Sequence, residues 1–418
     1  MQQTIIYCGV RELYIHETKH VQEKLETPYF LIDKQKLDDN IKDLKNALAT
    51  CWNNYIIGYS VKTNSLPWLI CYFKNRGIFA EVVSDDEYNL VLKLGYAKDK
   101  LIYNGPIKSK HTFLQAIKNG CIVNIDTERE ISWLKSLCNT GQKFEVGIRV
   151  NFDLEAYCPK ETLMGDAGSR FGFCYENGEL LKALNNLKAF NNVKVAGLHF
   201  HYGTKTRSLN VYQAIARMAC RIKSEYDLDL KYVDVGGGFY HSMSGKPSYM
   251  DYIRVISGEL SQAFDVTKTK LIVEPGVSLV GTPISFVSSV IDINQTIANY
   301  FVITDGSRIN IDPLMNKKQY IYTIKYMDNT RKTMPTQVIS GFTCIEKDRL
   351  FLLSNHPQLK VGDQIIYNRV GAYTMSLSPL FIKFYPAVYV KNNNKIIKVR
   401  KKWTSDEYIQ KSRFEMLE

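Results

Sequence analysis

Apolar and polar positions repeat in two different patterns along this chain. Between residues 55 and 276 one unit recurs: a short apolar run, a polar loop, then a stretch with apolar residues three and four apart. The runs are YIIGYSVK from Tyr55, IFAEVV from Ile78, LIYNG from Leu101 and CIVNI from Cys121, then FEVGIRV from Phe144, VAGLHFH from Val195, KYVDVG from Lys231 and KLIVEPG from Lys270. Stretches between them, such as DDEYNLVLKLGY and NVYQAIARMACRIKSEY, carry the helical period. Strands alternating with helices predict a parallel sheet. Eight of them in about 220 residues predict a closed (β/α)8 TIM-like barrel.

After Pro283 the pattern changes. ISFVSSVIDIN, NYFVITDG, YTIKYM, TQVISGFT, QIIYNRVGAY and AVYVKNN alternate or run apolar between turn residues, with few helical stretches. They predict an all-β domain, a sandwich or barrel. KNNNKIIKVRKKW, from Lys391, predicts two short strands joined at the asparagines. The expected division is residues 30–283 for the barrel, and 1–29 with 284–418 for the all-β domain.

Composition narrows the classes. Hydrophobic residues make up 45% and charged residues 23%, the balance of a globular chain with sizeable cores. No run is long and apolar enough to span a bilayer, and the first residues lack a basic segment followed by an apolar one. Nine scattered cysteines, odd in number and without a CxxC pair, argue against a disulfide framework or zinc site and for the reducing cytoplasm. The net charge of +12 fits either a lysine-rich surface or attraction to an anionic ligand. Basic and aromatic residues do not interleave as a nucleic-acid-binding pattern would require.

The polar residues at the predicted strand ends are Lys62, Glu81, Asn104, Arg149, His199, His201, Gly236-Gly237-Gly238 and Glu274. Barrel enzymes work at that rim. Glycine-rich backbone can cradle a phosphate. A partly desolvated lysine can form a Schiff base with an aldehyde, a carboxylate can hold a pyridine nitrogen protonated, and an imidazole can stack on a ring. Together these describe pyridoxal 5′-phosphate, with Lys62 as its anchor.

The motifs resemble those of the fold-type III pyridoxal-phosphate decarboxylases, the diaminopimelate and ornithine decarboxylases, from TPYFLID at Thr27 to GAYTMS at Gly371. YSVKTN is similar to the segment that supplies the Schiff-base lysine, Lys62. FAEVVSDDE is similar to the segment placing acids, Glu81 and Glu87, near the cofactor. HFHYGT implies that His201 stacks on the ring and Thr204 approaches the phosphate. The resemblance assigns phosphate binding to Gly236, Gly237, Gly238 and Tyr373, and the pyridine nitrogen to Glu274 in EPG, which ends at Gly276. Arg149 and the SRFG signature (169–172) belong to the same pattern. CIEKD resembles an element, Cys344 to Asp348, whose cysteine reaches in from a neighbouring subunit as proton donor, so a homodimer with shared active sites is implied.

The chain departs from the diaminopimelate decarboxylase pattern where the distal end of the substrate is gripped. Val277 follows EPG in place of arginine, Asp312 and Asn316 fall where arginine and tyrosine are expected, and Ile345 follows the cysteine, with Glu346 one place later. A carboxylate would lose its bidentate partner, which argues against diaminopimelate. Two substrate classes remain open. One is a bulky, anionic amino acid conjugate, such as a peptide or nucleotide natural-product intermediate; microcin C-type pathways use such decarboxylases. The other is ornithine, lysine or arginine, with Asp312 or Glu346 facing the distal cation. A racemase would want a tyrosine opposite the lysine rather than the Cys344 element. A non-catalytic regulator would tend to have lost Lys62, His201, Glu274 or Cys344.

Overall fold

The computed structural model describes residues 25–138 and 141–413. They divide into two compact units, one holding Asp39–Leu279 and the other residues 25–38 and 280–413 of those described. The division falls inside the helix Lys34–Cys51, so the strand Tyr29–Asp33 lies in the second unit. The assignment of residues 1–24 to the all-β domain falls outside the described residues.

The first unit is a closed parallel barrel of eight strands: β1 (Tyr55–Ser60), β2 (Phe79–Ser84), β3 (Leu101–Ile107), β4 (Ile122–Ile125), β5 (Phe144–Asn151), β6 (Val193–His199), β7 (Tyr232–Asp234) and β8 (Lys270–Val273). Each pairs with the next, and β8 returns to β1 through Leu271 opposite Tyr55. All eight predicted strands are present. An apolar cluster of Ile102, Ala196, Tyr232 and Ile272 draws on four of them, with Ile56, Phe79 and Ile122 packed against it from three more. Each such fully buried side chain contributes roughly 2 kcal/mol.

Helices return the chain between strands. Ser84, Ser109, Ser208 and Ser248 each cap one by accepting a backbone N–H. In Leu209–Glu225 the buried face holds Val211, Ile215, Met218 and Ile222, the spacing of one helical stripe. Short strands thus carry their last residues to one rim, where the loops into the helices begin.

The second unit is a nine-stranded, mostly antiparallel sheet. Tyr29–Asp33 lies inside it, antiparallel to Ile284–Gln295 and parallel to Ala387–Asn392. Ala387–Asn392 and Lys395–Arg400 form the hairpin expected around the asparagines. Arg349–Pro357, paired with Thr333–Ser340, is a strand the periodicity did not mark. Its burial alternates irregularly, and a register shift interrupts its pairing between Ile339 and Ser340.

Candidate active site

β1 ends at Ser60, and Lys62 sits in the single 3-10 turn that follows. The turn is fixed from below. Val61 and Thr63 are buried, Tyr59 donates its hydroxyl to Asn64 O at 2.8 Å, and Asn64 Oδ1 accepts Leu66 N–H at 3.2 Å. Lys62 Nζ donates to Glu81 at 2.9 and 3.2 Å. The lysine side chain is 33% exposed and the glutamate 1%. A partly exposed ammonium therefore lies at the rim against an acid buried in the wall.

The polar network continues inward. Asn104 Nδ2 donates to Glu81 Oε1 at 3.2 Å and to Glu274 Oε1 at 2.5 Å. Asn124 donates to Asn104 Oδ1 at 2.8 Å, and the Tyr232 hydroxyl donates to Asn124 Oδ1 at 2.9 Å. Glu274, just past β8, is buried, and His199 Nε2 lies 3.5 Å from its Oε2. His199, Asp234 and Glu274 place ligand atoms within 4.8 Å of one another. Among the described residues, neither ring nitrogen of buried His199 makes a hydrogen bond.

These surroundings sort the acids. Burial works to raise the Glu274 pKa, but His199, Lys62 and a hydrogen bond from Asp234 outweigh it and hold the carboxyl below the usual range. Asp234 goes the other way: burial first, then the Glu274 charge, pushes it well up, so it stays neutral. Glu87, whose Oε2 accepts Val83 N–H at 2.9 Å, is pushed up to about 7, mainly by burial. Burial lowers His201 to about 3, aided by the positive charges of Lys62 and Arg149, so its ring is neutral.

The loop after β7 approaches the wall closely. Gly236 has φ +69°, and a Cβ there would lie 2.5 Å from Phe200 O; one on Gly237 would lie 2.0 Å from Glu274 O. Only glycine fits at either position. Gly237 N–H donates to His201 Nδ1 at 3.3 Å. Gly238 continues the loop, and buried Gly276 closes the EPG turn after β8. Thr204 pairs with Thr162 in an isolated bridge, and its Oγ1 accepts Arg207 N–H at 3.2 Å. Arg149, at the end of β5, donates to Asp126 Oδ2 at 2.8 Å and to His201 O at 3.2 Å.

The remaining predicted residues lie in the second unit. Cys344 is exposed on a loop whose ends are tied by Gly341 N–H to Asp348 O at 2.9 Å. Asp348 is buried. It accepts from Ser307 Oγ at 2.8 Å, Thr343 Oγ1 at 2.6 Å and Arg308 N–H at 2.9 Å. Asp312 is engaged within its own unit, by Arg308 Nε at 3.0 Å, Tyr320 OH at 3.2 Å and the N–H groups of Asn316 and Lys317. Glu346 is 94% exposed and pairs with Arg349 at 3.4 Å. Tyr373 is 40% exposed, with φ +56°.

Sequence reasoning passed over Asp126, Asn124, Asp234 and the Lys108–Glu130 pair. Asp126 had a legible signal, since it directly follows the predicted run CIVNI; Asp234 lay inside the predicted run KYVDVG and proves to end the shorter observed strand. A cavity of about 540 Å³ lies beside His201 and Arg149, walled by Phe152, Leu163, Met164, Phe171 and Tyr202.

The barrel residues fit pyridoxal 5′-phosphate. A strand-end amine stands at the mouth, a buried carboxylate is kept ionised beside the buried His199 imidazole, and a loop admits only glycine where backbone must come close. The comparisons agree. Residues 34–281 match the family model of the pyridoxal-dependent decarboxylases, pyridoxal binding domain. A protein of Oryza sativa subsp. japonica named "Probable diaminopimelate decarboxylase, chloroplastic" is 27% identical, over 97% of this chain and 82% of its own length. The L-glutamyl-[BtrI acyl-carrier protein] decarboxylase of Niallia circulans is 24% identical, over 94% of this chain and 95% of its own. The crystal structure of diaminopimelate decarboxylase from M. jannaschii in co-complex with L-lysine superposes with TM-score 0.83 at 21% identity, covering 94% of this chain and 93% of that one.

Proposed function

The chain belongs to the pyridoxal-dependent decarboxylase family, and from that premise we propose that it removes the α-carboxylate of an amino acid borne by a larger, anionic conjugate. At the coarser level it is a pyridoxal-phosphate-dependent amino acid decarboxylase. When bound, the cofactor supplies an aldehyde for the substrate amine and a ring that takes up the electrons left by departing carbon dioxide. Lys62 is the amine that would hold the cofactor's aldehyde. Glu274, kept ionised, favours a proton on the pyridine nitrogen. The neutral His201 ring offers a stacking face, and the Gly236–Gly238 and Gly276 backbone, Thr204 and Tyr373 serve the phosphate. Cys344, lent by the second subunit of a homodimer, gives its proton to the carbon that lost the carboxylate. The observation that carries the cofactor assignment is the single network running from Lys62 through Glu81 and Asn104 to Glu274.

For the substrate, the relatives' names and this chain's side chains point different ways. The names favour diaminopimelate. The chain, however, has Val277 where that substrate's family has arginine, and Asp312 is occupied by its own neighbours. A conjugate must leave the α-amine and α-carboxylate free, so it is joined through its side chain; the glutamyl-carrier relative is named for an amino acid in conjugated form. The cavity beside His201 is the observation that favours bulk. The runner-up is a free basic amino acid, with exposed Glu346 facing its distal cation. Carbon dioxide release is to be measured with meso-diaminopimelate, ornithine, lysine, arginine and a γ-glutamyl peptide ending in an acid. Turnover of the peptide alone is expected. Efficient turnover of a free amino acid, with none of the peptide, overturns the conjugate reading.

A further inference from the structure

Behind the rim runs a line of four buried charges. Lys108, just after β3, and Glu130, in the helix Glu128–Trp133, meet at 3.1 Å with both side chains 0% exposed. Lys108 Nζ also donates to Gly105 O at 2.6 Å. The other oxygen of Glu130 accepts Asp126 N–H at 2.8 Å, at the end of β4. Asp126 then divides its carboxylate. Oδ2 takes Arg149 Nη1 at 2.8 Å, and Oδ1 takes Gly172 N–H at 2.9 Å, the last residue of the SRFG turn. Arg149 Nη2 reaches His201 O at 3.2 Å, and the His201 ring accepts from Gly237 at 3.3 Å.

Such an arrangement needs a reason. Burying an ion pair costs several kcal/mol of lost hydration per ion, and apolar residues of the same size are often as stable. The Lys108–Glu130 pair touches neither the mouth nor Lys62. Besides the Gly105 carbonyl within β3, the pair's polar contact leads to Asp126.

We propose that Lys108 and Glu130 are positioning residues: they fix Asp126, which sets His201 through the Arg149 fork and anchors the SRFG turn through Gly172. Asp126 and Arg149 are planar groups in series, each holding two different partners, so turning either one strains both of its hydrogen bonds and passes the change along. The consequence for turnover rests on reading His201 as the ring-stacking residue. The positioning itself does not.

The experiment replaces both charges at once, Lys108→Met with Glu130→Leu, in the full chain. Three signals are followed: the thermal midpoint, the His201 imidazole resonances of the cofactor-free protein labelled at histidine, and the visible circular dichroism after adding pyridoxal 5′-phosphate. The expected result is a midpoint at or above that of the parent, shifted or broadened His201 resonances, and a dichroic band reduced at least twofold. Unmoved His201 resonances in a stable double variant overturn the proposal. If the pair cannot be removed without loss of folding, Arg149→Lys is read by the same resonances. A lysine cannot reach Asp126 and His201 together, so an unmoved signal there also overturns it. Failure of the underlying functional reading shows separately, as borohydride trapping of the parent protein at a lysine other than Lys62.

Discussion

Lys62 and Glu81 form the ion pair on which the chemistry turns, and they are unequal partners. The acid is 1% exposed and the amine one-third exposed, so the amine is the member that reaches solvent. Lys62→Ala is expected to abolish borohydride-trappable cofactor, and mass spectrometry of the trapped peptide checks it. Cys344→Ala is expected to slow amine formation about tenfold or more while carbon dioxide release persists with misplaced protonation; a normal ratio of amine to carbon dioxide would assign the proton to another group. Glu87 carries a pH signature. Its folded pKa of about 7 exceeds the ordinary 4.5, so the folded state holds the proton more tightly. The stability this adds is complete below pH 4.5, is lost as pH climbs from 4.5 to about 7, and changes no further above that. Glu87→Gln is expected to flatten the denaturation midpoint across that window, as urea titrations at several pH values would show. Lys62, Glu81, His201 and Glu274 were all legible as strand-end polar residues. Asp312 was legible only as a charge, because its engagement with Arg308 and Tyr320 depends on how the chain folds back within its unit.

Among elements, the loop from Gly341 to Asp348 shows how a buried acid can hold an exposed thiol. Asp348 gathers Ser307, Arg308 and Thr343, so the loop bearing Cys344 leaves the sheet at a set angle. Asp348→Asn is expected to cost about 2–3 kcal/mol, since a buried acceptor that served several donors becomes partly a donor itself. The denaturant midpoint measures that loss, and a fall in amine yield toward that of Cys344→Ala would tie it to the thiol. The strands themselves were read well where burial was simple. The barrel strands are mostly apolar, interrupted at positions such as Glu81, Glu145, Arg149 and Lys194, as expected when most of both faces of a parallel strand are covered. Arg349–Pro357 escaped because one face is solvated and its pairing is interrupted.

At the scale of the molecule, the shared-site dimer has a direct test. Lys62→Ala and Cys344→Ala are each expected to be inactive or slow alone. If each site takes its lysine from one subunit and its thiol from the other, mixing the two variants after mild dissociation should restore roughly one quarter of parental activity, because half the dimers are mixed and each of those has one complete site. No recovery, with exchange confirmed by mass spectrometry, would place both groups in one chain. No helix among the described residues is long and apolar enough to cross a membrane, and no disulfide forms among them.

The sequence by itself determined the barrel, the all-β partner and the residues at the rim. Apolar runs of strand length, spaced by helical stretches, admit few other folds, and polar side chains at strand ends have no structural need to be there. Tertiary structure alone decided which of those side chains act on one another. Closing β8 onto β1 brings Glu274 to Asn104 across 170 residues, and the buried line from Lys108 to His201 joins residues that share no local pattern. Whether a carboxylate is ionised, neutral or already spent on its neighbours is set by burial and by partners that only the folded chain supplies.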